Sequence, residues 1–113
     1  MSDALLIIGS TVLFSVDVED RDGVSVNVAA ASEIKVSITT IDRKTRLAGP
    51  YAASAGTAGA NWSSGRIVVS VPAADTTALT QEYAQAQVRV VIGGVTTHYL
   101  AAARILLVKD HNA

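Results

Sequence analysis

Apolar and polar side chains alternate along most of this chain, and a period of two is the pattern of β-strands that bury one face. In the first such stretch, Phe14 and Val16 share one face and Ser15 lies on the other. The alternating stretches are 11–20, 24–28, 32–41, 66–71, 83–92 and 95–103, and a short apolar run over 105–108 follows them. The pattern therefore predicts about seven strands and very little helix.

Turn-forming residues separate these stretches at the intervals that are typical of an all-β sandwich. Asp20–Gly23 combines an Asp that can hydrogen-bond its own backbone with a Gly that accepts a positive φ. Gly93-Gly94 predicts a two-residue hairpin loop, and Pro72 ends a strand because it has no N–H for the ladder. After Pro72, residues 73–79 predict one helical turn capped by Asp75. These signals predict an antiparallel, immunoglobulin-like β-sandwich.

Two segments fall outside the alternation. The stretch 48–65 holds four Gly and six Ala and predicts one long loop, of a length that is usually functional or disordered. The apolar segment Ala4–Ile8, within residues 1–9, predicts either the first strand or an arm that adds to the sheet edge of a neighbouring subunit. No repeat or composition shift divides the chain, so residues 1–113 are predicted to form a single domain.

Composition narrows the classes of protein to which the chain can belong. There are 19 Ala and 15 Val but one Phe and one Trp, so the predicted core consists of small aliphatic side chains. Nine basic and ten acidic residues leave no excess of cations to neutralise phosphates, which argues against a nucleic-acid partner. No apolar run approaches the roughly 18 residues of a membrane span, and the N-terminus lacks the basic region of a secretory signal. We therefore expect a soluble protein, made in the cytoplasm, with no membrane partner.

The polar residues form no recognisable catalytic or metal-binding motif. The chain has no Cys, which excludes thiolate ligands and nucleophiles. Asp17–Asp22 resembles part of a calcium loop, but with Gly23 as the glycine of an EF-hand the first and last ligand positions are apolar. His98 lies on a predicted strand and His111 in the tail, and neither accompanies a nucleophile motif. We expect no enzymatic activity, no cofactor and no metal.

The most conspicuous residues of the sequence are of types that indicate interaction with other proteins. Trp62 in a small-residue loop is typical of an interface anchor, but the same side chain would also plug one end of an alanine-rich core. Arg43, Lys44 and Arg46 form a basic hairpin tip that is either simply solvated or meets an acidic neighbour in an assembly. The remaining candidate interaction residues are Tyr51 in the long loop and Leu5 and Ile7 in the N-terminal segment.

Several short motifs follow one another in a distinctive order. They are Ile8–Thr11 opening a strand, Val16–Asp20 running into Asp22-Gly23, the β stretch 33–40, Trp62–Val69 leading into 71–76, and a closing hairpin over 83–99. In this order they resemble the N-terminal domain family of phage baseplate upper proteins, a family that also appears as small stand-alone virion proteins. The resemblance covers most of the chain and implies an immunoglobulin-like fold and a place in a virion, without a catalytic residue.

We therefore expect a non-enzymatic structural protein of a tailed-phage virion, made in the host bacterial cytoplasm. Since no further domain follows residue 113, the expected role is a capsid decoration protein that binds the major capsid protein and forms a homo-oligomer in the assembly. One alternative is a tail or baseplate subunit. Another is a carbohydrate- or receptor-binding module with Trp62, Tyr51 and Tyr99 as its platform.

Overall fold

Eight strands and two helical turns form the regular structure of the computed structural model, which describes residues 4–9, 11–100 and 105–109. The strands are β1 (Ala4–Ile8), β2 (Val12–Asp17), β3 (Glu33–Thr39), β4 (Arg46–Ala52), β5 (Arg66–Val71), β6 (Tyr83–Ile92), β7 (Val95–Leu100) and β8 (Ile105–Lys109). The helical turn α1 covers Ala73–Thr77, and a 3₁₀ turn covers Trp62–Ser64. The prediction of an all-β, sandwich-like fold is confirmed, although the last part of the predicted 95–103 strand lies outside the described residues.

The larger of two sheets is organised around β6, which pairs with strands on both of its sides. The sheet has the order β1-β8-β6-β3-β4, and β7 also pairs with β6. One side of β6 accommodates two strands because Tyr83 and Ala84 pair with β8, whereas Gln87–Ile92 pair with β7. The second sheet consists of β2 and β5, whose buried side chains join the same hydrophobic core.

The N-terminal segment is a strand of the chain's own larger sheet. β1 pairs with β8 in parallel, from Ala4 opposite Ile105 to Ile8 opposite Lys109. The prediction of a wholly antiparallel sandwich is therefore wrong at this pair. β1 and β8 are far apart in sequence, so no hairpin dictates their relative direction.

The alternation of side chains places the core where the sequence predicts it. In β3 the buried residues are Ile34, Val36 and Ile38, and in β6 they include the small residues Ala84 and Ala86. Burial of a Val or Ile side chain contributes roughly 1.5–3 kcal/mol to folding. The residues between them face outward, so the larger sheet presents a polar and charged outer face.

The prediction of one long loop over 48–65 is wrong in its first part, where β4 forms an edge strand paired with β3. Its pairing with β3 shifts register between Ala48 and Tyr51, and its burial does not alternate regularly. Pro50 has no backbone N–H to donate. It is tolerated in β4 because one side of an edge strand has no neighbouring strand to which an N–H would donate. The irregular stretch is therefore 53–61, and there Gly59 lies against the buried Val68 of β5.

The alternation of Val24, Val26 and Val28 does not produce the predicted strand. The Val26 N–H donates to the carbonyl of Val18 at 3.0 Å, and the Val28 N–H donates to the carbonyl of Trp62 at 2.8 Å. Exposure falls from 59% at Val24 to 0% at Val28, so the segment descends into the core. Ser25 forms an isolated antiparallel bridge with Glu19, just beyond β2, and Val28 then bonds to the 3₁₀ turn, so no longer sheet ladder continues through the segment in the described structure.

Gly65 and Gly23 have nearly equal φ but different surroundings, so comparing them distinguishes the cost of backbone strain from the cost of steric crowding. Gly65 has φ 82°, and a Cβ there would lie 2.8 Å from the carbonyl oxygens of Val18 and Val26. Gly23 has φ 79°, and a Cβ there would meet nothing within 4 Å.

We expect Gly23→Ala to lower the free energy of unfolding by about 1–2 kcal/mol, the cost of a left-handed backbone for a residue with a Cβ. Gly65→Ala should cost at least about twice as much because the surrounding backbone must also shift. Urea denaturation of the two variants measures the difference. Equal losses would contradict the close packing at Gly65.

Candidate interaction site

A shallow groove of about 250 Å³ lies on the outer face of the larger sheet. Its lining residues are Lys35 and Ser37 of β3, Arg46 and Pro50 of β4, Gln87 and Arg89 of β6, and His98 of β7. The strand register assembles them, since Lys35 lies opposite Arg89 and Arg89 lies opposite His98. Side chains in such a cross-strand row are close enough to contact one another or a common partner.

The charge of this groove is positive. Glu33 lies 3.2 Å from the Lys35 ammonium group and 3.4 Å from the Arg89 guanidinium group. The three side chains are between 38% and 45% exposed, and ion pairs of this kind contribute only about 0–1 kcal/mol. Arg46 has no ion pair within the described ranges. Lys35, Arg46 and Arg89 therefore outnumber Glu33, the one carboxylate paired with groove residues in the described structure, and a positive excess remains.

The chemistry of the groove is that of a site for carboxylates or other anions. The Arg46 and Arg89 guanidinium groups can each present two parallel N–H donors to a carboxylate. Ser37 and Gln87 add a hydroxyl and an amide to the same surface. Among the residues that the structure describes, no His, Asp and Glu side chains gather in a group that would hold a metal ion. No helix in the same part of the chain is long and apolar enough to cross a membrane.

The predicted basic tip divides into two parts. Arg46 lines the groove, whereas Arg43 and Lys44 lie exposed in the turn between β3 and β4. Asp42 organises this turn by accepting hydrogen bonds from the Thr40 hydroxyl and the Lys44 backbone N–H. The same two bonds, the hydroxyl first, lower the pKa of the Asp42 carboxyl below its ordinary value.

Tyr51 connects β4 to α1. Its hydroxyl donates to Asp75 Oδ2 at 2.6 Å, and its ring is half-buried against the core. Burial, followed by the hydrogen bond and negative charge of Asp75, raises the pKa of the Tyr51 hydroxyl well above its ordinary value. The prediction that Asp75 caps a helix is wrong, because Asp75 lies inside α1 and the residue at the N-cap is Pro72.

Trp62 closes one end of the sandwich. Its side chain is half-buried against the core, and its carbonyl accepts the N–H groups of Val28 and Gly65. The indole Nε1 is buried and has no acceptor among the described residues. This packing is what the end plug requires, and a role of Trp62 as an interface anchor stays a prediction.

The N-terminal candidates lie on β1, at the edge of the larger sheet. Leu5 pairs with Leu106 and Ile7 with Val108, both of β8. The Ile7 side chain is 38% exposed. The other side of β1 has no strand partner in the described structure, so this edge is open to a further strand.

The sequence analysis found one member of the groove, Arg46, and missed Lys35, Arg89 and His98 as a group. Lys35 and Arg89 each lie between buried neighbours, His98 lies between the exposed Thr97 and the half-buried Tyr99, and each of the three, taken alone, is an ordinary solvated position. The sequence does show charged residues at outward positions of separate strands. Whether these side chains lie close together depends on the strand order β4-β3-β6-β7. His111 lies outside the described residues.

No known protein family matches the chain, and no curated protein matches it.

We expect Tyr51→Phe to lower the free energy of unfolding by about 1–2 kcal/mol, because the substitution removes only the hydroxyl that donates to Asp75. Tyr99→Phe is the matched control, since Tyr99 is also half-buried against the core and its hydroxyl has no hydrogen bond within the described residues. The control should change stability by less than about 0.5 kcal/mol. Urea denaturation at neutral pH measures both variants, and a similar loss in each would exclude a specific role for the Tyr51–Asp75 bond.

Proposed function

We propose that this protein is a non-enzymatic structural component of a tailed-phage virion, and specifically a capsid decoration protein that binds neighbouring virion subunits. The observation that carries the proposal is the basic groove on the outer face of a sheet with open edges. A rigid β-sandwich holds that groove in a fixed shape, as a contact repeated over a lattice requires. The phage setting itself comes from the motif order described above.

Multivalency explains how a small domain with modest contacts would function in this role. A groove lined by solvated cations gives weak attraction to any single carboxylate. On a symmetric lattice each protein contacts several subunits at once, so the second and later contacts form at high effective concentration. The accumulated binding then holds the protein on the particle.

The carbohydrate-binding alternative needs aromatic side chains that are exposed together. Tyr51 and Tyr99 lie in one cross-strand row through Val36 and Val88, on the face that packs against the core. Trp62 lies in a different loop and is also half-buried. Because these three rings share no exposed face, no observation favours that alternative over the proposal.

We expect purified virions to contain this protein in a fixed ratio to the major capsid protein, as measured by quantitative mass spectrometry. A ratio near that of the capsid lattice would support decoration, since each lattice unit offers the same contact. A few copies for each particle would instead assign the protein to the tail or baseplate. Its absence from virions would overturn the proposal.

Trp62 fluorescence tests the competing carbohydrate module. Since Trp62 is the only Trp, its emission reports a single site. We expect acrylamide to quench it less in the folded protein than in the urea-unfolded control, and oligosaccharides to leave its emission unchanged. Equal quenching in both states, together with a sugar-dependent change, would show a solvent-facing platform.

A further inference from the structure

The surface carries a second charged feature that matches the groove, the acidic turn over residues 17–22. We propose that the groove of one molecule binds the acidic turn of a second copy of the same chain. The inference deepens the proposed function by naming a partner for the groove, and it rests on that function for its setting on a lattice. The contact between two copies involves no other protein, so it can be tested with the purified protein alone.

The acidic turn is held by its own hydrogen bonds and carries carboxylates that have no partner within the described residues. Asp20 Oδ1 accepts the backbone N–H groups of Asp22 at 2.9 Å and Val24 at 3.0 Å, which holds the turn in one shape. Asp17 is paired with Arg66 at 3.1 Å. By contrast, the carboxylates of Glu19 and Asp22 have no hydrogen bond or ion pair within the described part of the chain. The carboxylates of the exposed Asp22 and the half-buried Glu19 are therefore unpaired in the described structure and can bind a partner.

The groove complements this turn in charge. It is concave and lined by three cations, and Arg46 among them has no carboxylate partner in the described structure. A guanidinium group binds a carboxylate through two parallel hydrogen bonds, so Arg46 and Arg89 suit Glu19 and Asp22 one to one. Arg46 thus lacks a carboxylate, Arg89 shares Glu33 with Lys35, and Glu19 and Asp22 lack a cation in the described structure.

The position of the two features requires separate molecules. The groove is on the outer face of the larger sheet, whereas the turn follows β2 of the second sheet, on the other side of the core. A molecule therefore cannot place its own turn in its own groove. Contact between two different patches is heterologous and leaves a free groove and a free turn at the ends, so it can continue through many copies.

A second copy is favoured over another acidic protein because of the overall charge. The chain has a formal net charge of −1, so two copies approach each other with little long-range repulsion. Local attraction between the groove and the turn then decides their orientation. Such an interaction weakens as salt screens the charges over a Debye length of about 8–10 Å.

Two neutralising variants test the contact by sedimentation velocity over a range of protein concentrations at low salt. The groove variant is Arg46→Gln with Arg89→Gln, and the turn variant is Glu19→Gln with Asp22→Asn. We expect the wild type to form oligomers that grow with concentration and dissociate in high salt. Each variant alone should associate at least about tenfold more weakly, since close charge pairs across an interface contribute on that scale.

Mixing the variants gives the decisive result. The groove variant retains its acidic turn and the turn variant retains its groove, so a mixture contains one intact contact. We expect a species of the size of a dimer that grows no further. A mixture that stays monomeric, or a wild type that stays monomeric at every concentration, would overturn the proposal.

Arg43→Gln with Lys44→Gln is the matched control, because it removes two positive charges from the exposed turn beside the groove. It should associate like the wild type, and a loss equal to that of the groove variant would assign the effect to net charge and overturn the proposal. Circular dichroism confirms that all variants are folded. The copy number in virions is a separate measurement, so failure of the proposed function and failure of this contact are distinguishable.

Discussion

The pairing of β6 with three other strands is the constraint on which the larger sheet depends. On one side β6 pairs with β3 from Gln85 to Val91, and on the other it pairs with β8 and then with β7. Because buried backbone groups need hydrogen-bond partners, these ladders determine where each neighbour lies. β1 is attached through β8, and β4 through β3. The position of the groove, which draws on four of these strands, follows from that arrangement.

The alternation of side chains along each strand places one set of residues in the core and the other set in the groove. Val88 of β6 is buried, while its neighbours Gln87 and Arg89 line the groove on the opposite face. A shift of one residue in the register would exchange the two faces and bury the charges. The hydrophobic core therefore fixes the register, and the register fixes which charged side chains meet on the outside.

The few aromatic side chains serve the interior and the ends of this sandwich. Phe14 is buried, Trp62 packs at one end, and Tyr51 is held to α1 through Asp75. The aliphatic side chains of the core are small, so these rings supply bulk where the sheets leave space. The outer face of the larger sheet is accordingly polar, and its contacts with other molecules depend on charge and shape.

The sequence by itself determined the all-β class, most strands and the outward direction of Lys35 and Arg89, because side-chain alternation is a local property of the backbone. It did not reveal β4, since an edge strand with Gly49 and Pro50 lacks that alternation. It also predicted an antiparallel partner for every strand and a strand over 24–28, whereas β1 is parallel to β8 and no strand forms after Val24. Only the tertiary structure brought Lys35, Arg46 and Arg89 together, because proximity across a sheet depends on strand order and register. Those are set by hydrogen bonds and packing between residues far apart in the chain.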